Sequence, residues 1–164
     1  MKNALKIFCL ILFWVSFSGE TCTKAIVYGK DYHTQPVRDW YDADQTTVMK
    51  AVERALENEG YEIFSIDESK GRVVTGWRPV EVDSHYVLLF KRRDYGVSDG
   101  AYYRLTTDLT QEGSRIKVAF STTVKTIVGP LESSGVIEKR LLTQLHDYLR
   151  SPQIEMTNVG VKKK

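Results

Sequence analysis

The sequence predicts an α+β domain in which a five-stranded antiparallel meander packs on an N-terminal and a C-terminal helix, in the order α-β-β-β-β-β-α. Three observations carry this reading. Val48, Ala51, Val52, Ala55 and Leu56 recur at helical spacing, and so do Ile137, Leu141, Leu145, Tyr148 and Leu149. Between the two stripes the period changes to two residues, most clearly in Ile116, Val118, Phe120, Thr122 and Val124. Glycine-bearing turn clusters, Asp67–Gly71 and Gln111–Ser114, separate the strand-like runs.

The first helix opens at the cap-type carboxylates Asp42 and Asp44, which suit the positive end of a helix dipole. Lys50, Glu53, Arg54, Glu57 and Asn58 cover its polar side, and Gly60 supplies a left-handed stop. Strands are expected over 61–66 and 72–77, with Pro79 ending the second because proline donates nothing to a ladder. Further strands follow over 85–92, 101–109 and 115–124, the last with Arg115, Lys117 and Ala119 on its wet face. The second helix follows Gly129-Pro130, with Ser133 or Ser134 as its cap, and Pro152 closes it. These elements place one domain over 44–150 and a basic, frayed tail over 151–164, which ends in three lysines.

Residues 1–18 have the layout of a secretory signal peptide. Lys2 and Lys6 precede an apolar run from Ile7 to Val15, and Ser16-Phe17-Ser18 offers small residues for cleavage before Gly19. The run is shorter than the roughly 20 residues a membrane span needs. An exported protein is expected, periplasmic or outer-membrane-associated. Residues 19–43 form a leader whose Tyr28, Tyr32, Trp40 and Tyr41 favour packing along the domain over a free arm.

Cys9 would leave with the signal, so Cys22 would be the one thiol of the mature chain and could form no internal disulfide. Two readings of Cys22 stand. It is a lipid anchor, as its place after the apolar run suggests, or it is a stray thiol, as the poor lipobox Gly19-Glu20-Thr21 favours.

Charge names no partner. The chain has 23 Lys+Arg against 21 Asp+Glu, and loss of Lys2 and Lys6 would make it neutral. A nucleic-acid partner is not expected. Nor does the sequence point to an enzyme. His33, His85 and His146 have no second ligand at zinc spacing, and each reads as a solvated or locally bonded histidine. There is no serine elbow and no phosphate-binding glycine loop. Asp94 and Asp99, with Gly96 and Gly100, lack calcium-loop spacing, and nothing drives the Asp67 and Glu68 acidities apart. No metal and no cofactor is expected.

What remains is a surface signal of arginine and aromatic side chains, the types enriched at interface hot spots. The candidate partner-binding residues are Trp77, Arg78, Arg92, Arg93, Tyr102 and Arg104. Basic residues are also common on the wet face of a sheet, so the same set is compatible with mere solvation. Trp77 is expected to pack against the first helix, with one edge exposed beside Arg78.

A helix ending in Gly60-Tyr61, then Asp67 with Gly71, then a strand ending in Thr75-Gly76-Trp77 and a closing helix resembles the BamC-like lipoprotein domain of the outer-membrane β-barrel assembly machinery, over about residues 44–150. The resemblance implies a helix-grip-like fold and a non-enzymatic accessory role, and carries over no catalytic residue. That family has a proper lipobox, a long extended N-terminal arm and two such domains, whereas a poor lipobox, a short leader and one domain are expected here. Two functions are therefore expected in competition. One is an envelope module that docks on a membrane-associated protein assembly, touching the membrane only through Cys22. The other is a carrier of an apolar small molecule or lipid, in a cavity between sheet and helices lined by Trp77, Phe90 and Phe120. Neither the partner nor the oligomeric state can be read from the residues.

Overall fold

The computed structural model describes residues 29–95, 100–127 and 129–150, and the backbone of 154–157 and 160–163. Residues 1–28, including the expected signal peptide and Cys22, lie outside the described residues, as does the 96–99 part of the rejected calcium loop. The chain runs β1 (Lys30–His33), β2 (Val37–Tyr41), α1 (Gln45–Asn58), β3 (Ile63–Asp67), β4 (Arg72–Thr75), β5 (Arg78–Pro79), β6 (His85–Leu89) and β7 (Arg92–Asp94). It continues through β8 (Ala101–Glu112), β9 (Arg115–Thr126), β10 (Glu132–Ser133) and α2 (Val136–Arg150) to a hairpin of β11 (Ile154–Thr157) and β12 (Gly160–Lys163).

β8 and β9 form the spine, paired without a break from Ala101–Thr126 to Glu112–Arg115. Gly113 and Ser114 join them. Gly113 takes a left-handed φ of 64°, as the first central residue of a type II′ hairpin must. β4 and β5 pair along the free edge of β8, and β3 lies outside β4. β1 and β2 pair in tandem along the free edge of β9. Every pairing is antiparallel. The inner face carries Val73, Tyr103, Leu105, Ile116, Val118, Phe120 and Val124, all buried beneath the two helices.

The helices follow the expected stripes. Val48, Ala51, Val52, Ala55 and Leu56 of α1 are buried, together with Met49. Asp44 caps α1 by accepting from the Thr47 amide at 2.9 Å. At its other end Tyr61 N–H donates to Leu56 C=O and Gly60 N–H to Glu57 C=O, a Schellman closure that Gly60 allows at φ 73°. α2 buries Ile137, Leu141, Leu142, Leu145 and Tyr148. Arg140 reaches Glu59 at 3.1 Å and so ties α2 to the end of α1. This is the α+β, helix-grip arrangement.

The meander differs from the expected one in three places. The large sheet has seven strands: it lacks the expected 85–92, and gains β5 together with β1 and β2, which residues 30–41 of the expected leader supply. Their alternation is faint because they lie at a sheet edge, where β9 sets the register and only Tyr41 is fully buried.

The expected strand 85–92 is no part of that sheet. It divides into β6 and β7, which pair with each other and, through β6, with β10. It divides because Phe90 and Lys91 both adopt left-handed φ, 48° and 66°, and turn the chain back on itself. Finally, Arg78-Pro79, placed beyond the second strand, pairs with Tyr103-Tyr102 as β5, an edge position where proline is tolerated. The tail, expected to fray, contains the β11–β12 pairing.

Candidate functional site

Two places gather chemistry-bearing side chains, one on each face of the sheet. On the face away from the helices, β8 presents Tyr102 and Arg104, and β9 presents Lys125 opposite Tyr102. Trp77 lies across them. The Arg104 guanidinium is 4.7 Å from the Trp77 ring centroid and the Lys125 ammonium is 5.1 Å from it. Lys125 also meets Asp31 of β1 at 3.3 Å.

Trp77 therefore does not pack against the first helix, and the alternation of the chain explains why. Arg78 pairs opposite the inward-facing Tyr103, so the residue before it must face outward. The ring is half-buried, with both cations against it. A cluster of this kind can hold an anionic group beside an aromatic face.

The other candidate residues lie elsewhere. Arg78 faces the helix side, where Nη1 donates to Glu59 C=O at 3.0 Å and the guanidinium sits 4.5 Å from the Tyr61 ring centroid. A cation on the last carbonyls of α1 offsets the negative end of that helix, a structural task. Arg92 and Arg93 are exposed on β7. Arg93 lies 4.7 Å from the centroid of Tyr86, whose ring also meets Tyr95 at 5.5 Å. Of the six residues chosen from sequence, the fold brings together Trp77, Tyr102 and Arg104.

The second place is interior, between the sheet and the first turn of α2. His85 is 1% exposed and Glu138 is 0% exposed. Ser84 donates to Glu81 C=O at 2.8 Å, so its oxygen is left to accept from His85 Nδ1, also at 2.8 Å. That assigns the ring proton to Nδ1 and makes Nε2 an acceptor.

One oxygen of Glu138, Oε1, takes hydrogen bonds from the Thr122 hydroxyl and from the Ser133 hydroxyl, the latter at 2.7 Å. His85 Nε2 and Glu138 Oε2 are both buried with no hydrogen-bond partner. Among the described residues Arg104 Nε, Thr107 Oγ1 and Gln144 Oε1 share that condition. His85 and Glu138, however, have common neighbours. His85 pairs across to Ser133, which binds Glu138, and its ring centroid is 4.8 Å from that of Tyr103. Tyr103 in turn bonds the Tyr61 hydroxyl at 2.8 Å.

Burial governs the acidities here. It pushes the His85 imidazole down to about 4, so the ring is neutral at neutral pH. Burial, then the bond from Tyr103, holds the Tyr61 phenol well above its ordinary range, and burial raises Tyr103 as well. Two phenols sharing one hydrogen bond leave one hydroxyl proton free to donate. The cluster thus offers two acceptors and one donor beside the apolar core.

Sequence reasoning reads His85 as solvated or locally bonded. The local bond to Ser84 is there, and the burial is not foreseen. Glu138 is missed, although it stands three residues before Leu141 and seven before Leu145, on the apolar stripe of α2. A carboxylate in such a stripe is the signal that could have found it.

Among the described residues no group of three His, Cys, Asp or Glu side chains could hold a metal ion, and no helix is long and apolar enough to cross a membrane. No protein-family model matches the chain, and no curated protein matches it. Among solved structures it is similar to a crystal structure of Ara h 8.0201, at 12% identity and a TM-score of 0.46, over 74% of this chain and 99% of that one. It is also similar to a crystal structure of TTHA0849 from Thermus thermophilus, at 12% identity and a TM-score of 0.35, over the same shares.

Proposed function

We propose that this chain is a non-catalytic binding protein that holds a small, largely apolar molecule between sheet and helices. The molecule's hydrogen-bonding head would lie at His85, Glu138 and the Tyr61–Tyr103 pair. The observation that carries this reading is the pair of fully buried acceptors, His85 Nε2 and Glu138 Oε2, left without partners around one tyrosine. A buried polar atom without a partner costs about 1–3 kcal/mol, and a ligand head that donates to it recovers that loss. The adjoining core, with Phe120, Leu105, Leu141 and Leu145, suits an apolar body, whereas Trp77 on the outer face and Phe90 in its exposed turn lie outside it, contrary to expectation. An acid–base role is disfavoured because His85 titrates far below neutral pH, where a general base is inefficient.

The test is a panel of amphiphiles with alcohol, amide or amine heads, read by native mass spectrometry and thermal shift on the full chain. Wild type should retain a subset of the panel. His85→Phe and Glu138→Gln should weaken retention about tenfold or more while the circular dichroism spectrum persists. If wild type retains none, or both variants retain ligands equally well, the reading is wrong.

A second reading keeps the docking role that the BamC-like resemblance implies, on an envelope assembly after export. The observation that favours it is the outward Trp77 ring lying on Arg104 and Lys125, since half-buried tryptophan and arginine are typical interface anchors. Loss of co-purification with an envelope complex on Lys125→Glu, with ligand retention unchanged, would select this reading over the first.

A further inference from the structure

We propose that the tip of the β6–β7 hairpin is a membrane-docking element, inserting Leu89 and Phe90 into the interface of an anionic lipid surface while Lys91 and Arg92 bind its headgroups. Leu88, Leu89 and Phe90 are consecutive and are 54%, 47% and 94% exposed. Successive strand residues point to opposite faces, so Leu88 and Leu89 put one leucine on each face of the hairpin, beside Arg93 and Arg92 respectively, and Phe90 lies in the turn at its end. A flat protein surface would cover one of those faces. A lipid interface surrounds the tip and covers all of them.

The backbone carries the second observation. Leu89 pairs with Arg92, so Phe90 and Lys91 are the central residues of a two-residue turn. Their φ values of 48° and 66° define a type I′ turn, which Asn-Gly adopts without strain and which a bulky residue does not favour. The chain accepts this cost at the point where it displays a phenyl ring to solvent. Strain of this kind clusters at functional sites such as ligand clamps.

Charge decides the surface. Lys91, Arg92 and Arg93 follow the apolar tip directly and are all exposed. Arg93 is engaged with the Tyr86 ring, which leaves Lys91 and Arg92 beside the tip as headgroup contacts. The base is tied to the domain at two points. The Tyr86 hydroxyl donates to Glu132 at 3.0 Å, and β10 pairs with β6 beneath it. The tip is therefore a short wedge whose end turn carries Phe90 and Lys91 side by side, with Leu89 and Arg92 next to them. Each cation near an anionic membrane raises affinity about fivefold, and burying the phenyl ring adds a further factor of about ten or more.

The experiment sediments the full chain with vesicles of about three parts phosphatidylcholine to one part phosphatidylglycerol, and with phosphatidylcholine alone. The apolar run 7–15 is common to every variant, so differences between variants report on the hairpin. Phe90→Ala should lower partition about tenfold. Lys91→Glu with Arg92→Glu should lower it about 25-fold or more on the anionic vesicles and little on the neutral ones. Thermal melts should not change beyond a few degrees, because these side chains are exposed. Phe90→Trp should gain blue-shifted emission on anionic vesicles, quenched by lipids brominated in the acyl chains, relative to the parent. The proposal is overturned if the alanine and glutamate variants partition like wild type, or if the indole placed at 90 is not quenched. It is equally overturned if a photo-crosslinker at 90 captures one protein from membrane extracts while no lipid quenching occurs.

Discussion

Replacing Phe90-Lys91 by Asn-Gly should stabilise the fold and abolish membrane docking together. A non-glycine residue held in the left-handed region costs about 1–2 kcal/mol. Two such residues stand here in succession. Glycine removes the cost at 91, and asparagine removes part of it at 90. Against this, glycine loosens the unfolded chain by about 0.4–1 kcal/mol. Almost no apolar burial is lost, since the Phe90 side chain is nearly free of contacts. The net gain is about 1–2 kcal/mol, or a rise in Tm of roughly 4 °C per kcal/mol for a domain of this size. Urea and thermal unfolding followed by circular dichroism would measure it. An unchanged or lower Tm would refute the strained turn. A higher Tm with vesicle partition intact would refute the anchoring role of the phenyl ring.

Trp77→Ala should cost about 2 kcal/mol, less than the 3–5 kcal/mol of a fully buried aromatic, because the ring is only half-buried and two cations hold it. A double-mutant cycle with Arg104→Ala, read by urea unfolding, should return a coupling of about 0.5–1 kcal/mol. His85 makes stability fall with acid. Its folded pKa of about 4 lies below the unfolded value of 6.5, so the unfolded chain binds the proton first between those pH values. Between pH 7.5 and 4.5 wild type should lose about 2–3 kcal/mol more than His85→Gln does, with no difference between them accruing above pH 7. Glu138→Ala should cost about 2–4 kcal/mol because it strands the Thr122 and Ser133 hydroxyls in the interior. Glu138→Gln, which keeps one acceptor, should cost nearer 1 kcal/mol by the same assay.

Both helices and the two long strands are legible in the sequence because each has one face fully committed to the core. The stripe at Val48, Val52 and Leu56 and the alternation from Ile116 to Val124 are direct records of burial. β1 and β2 are not legible, since an edge strand takes its register from its neighbour. Residues 85–92 look like one strand because Leu88, Leu89 and Phe90 are apolar, yet they are apolar toward solvent. Pattern reading assumes that apolar means inward, and it fails where a surface is built to meet something other than water. Trp77 falls on the unexpected face because the Arg78–Tyr103 register decides it, and no local pattern contains that register. His85 follows the polar pair Asp83-Ser84 and Glu138 precedes Lys139-Arg140, so neither looks buried locally, and only the packing of β6, β10 and α2 brings them into one neighbourhood.

The tandem docking of β1 and β2 on β9 also orders the assembly of the molecule in time. The β8–β9 hairpin closes through two residues and can form within microseconds. His33 reaches Thr123 across 90 positions of sequence, so the first strands join only after a large loop has closed. Until then the outer edge of β9 is bare and open to pairing with any strand of matching register. The nearest such strand in a concentrated solution is the β1–β2 segment of another copy, so exchange between chains is the error this topology invites. Fast refolding at high protein concentration should leave a slowly dissociating dimer that refolding at high dilution avoids, and size-exclusion chromatography of the two samples would reveal it.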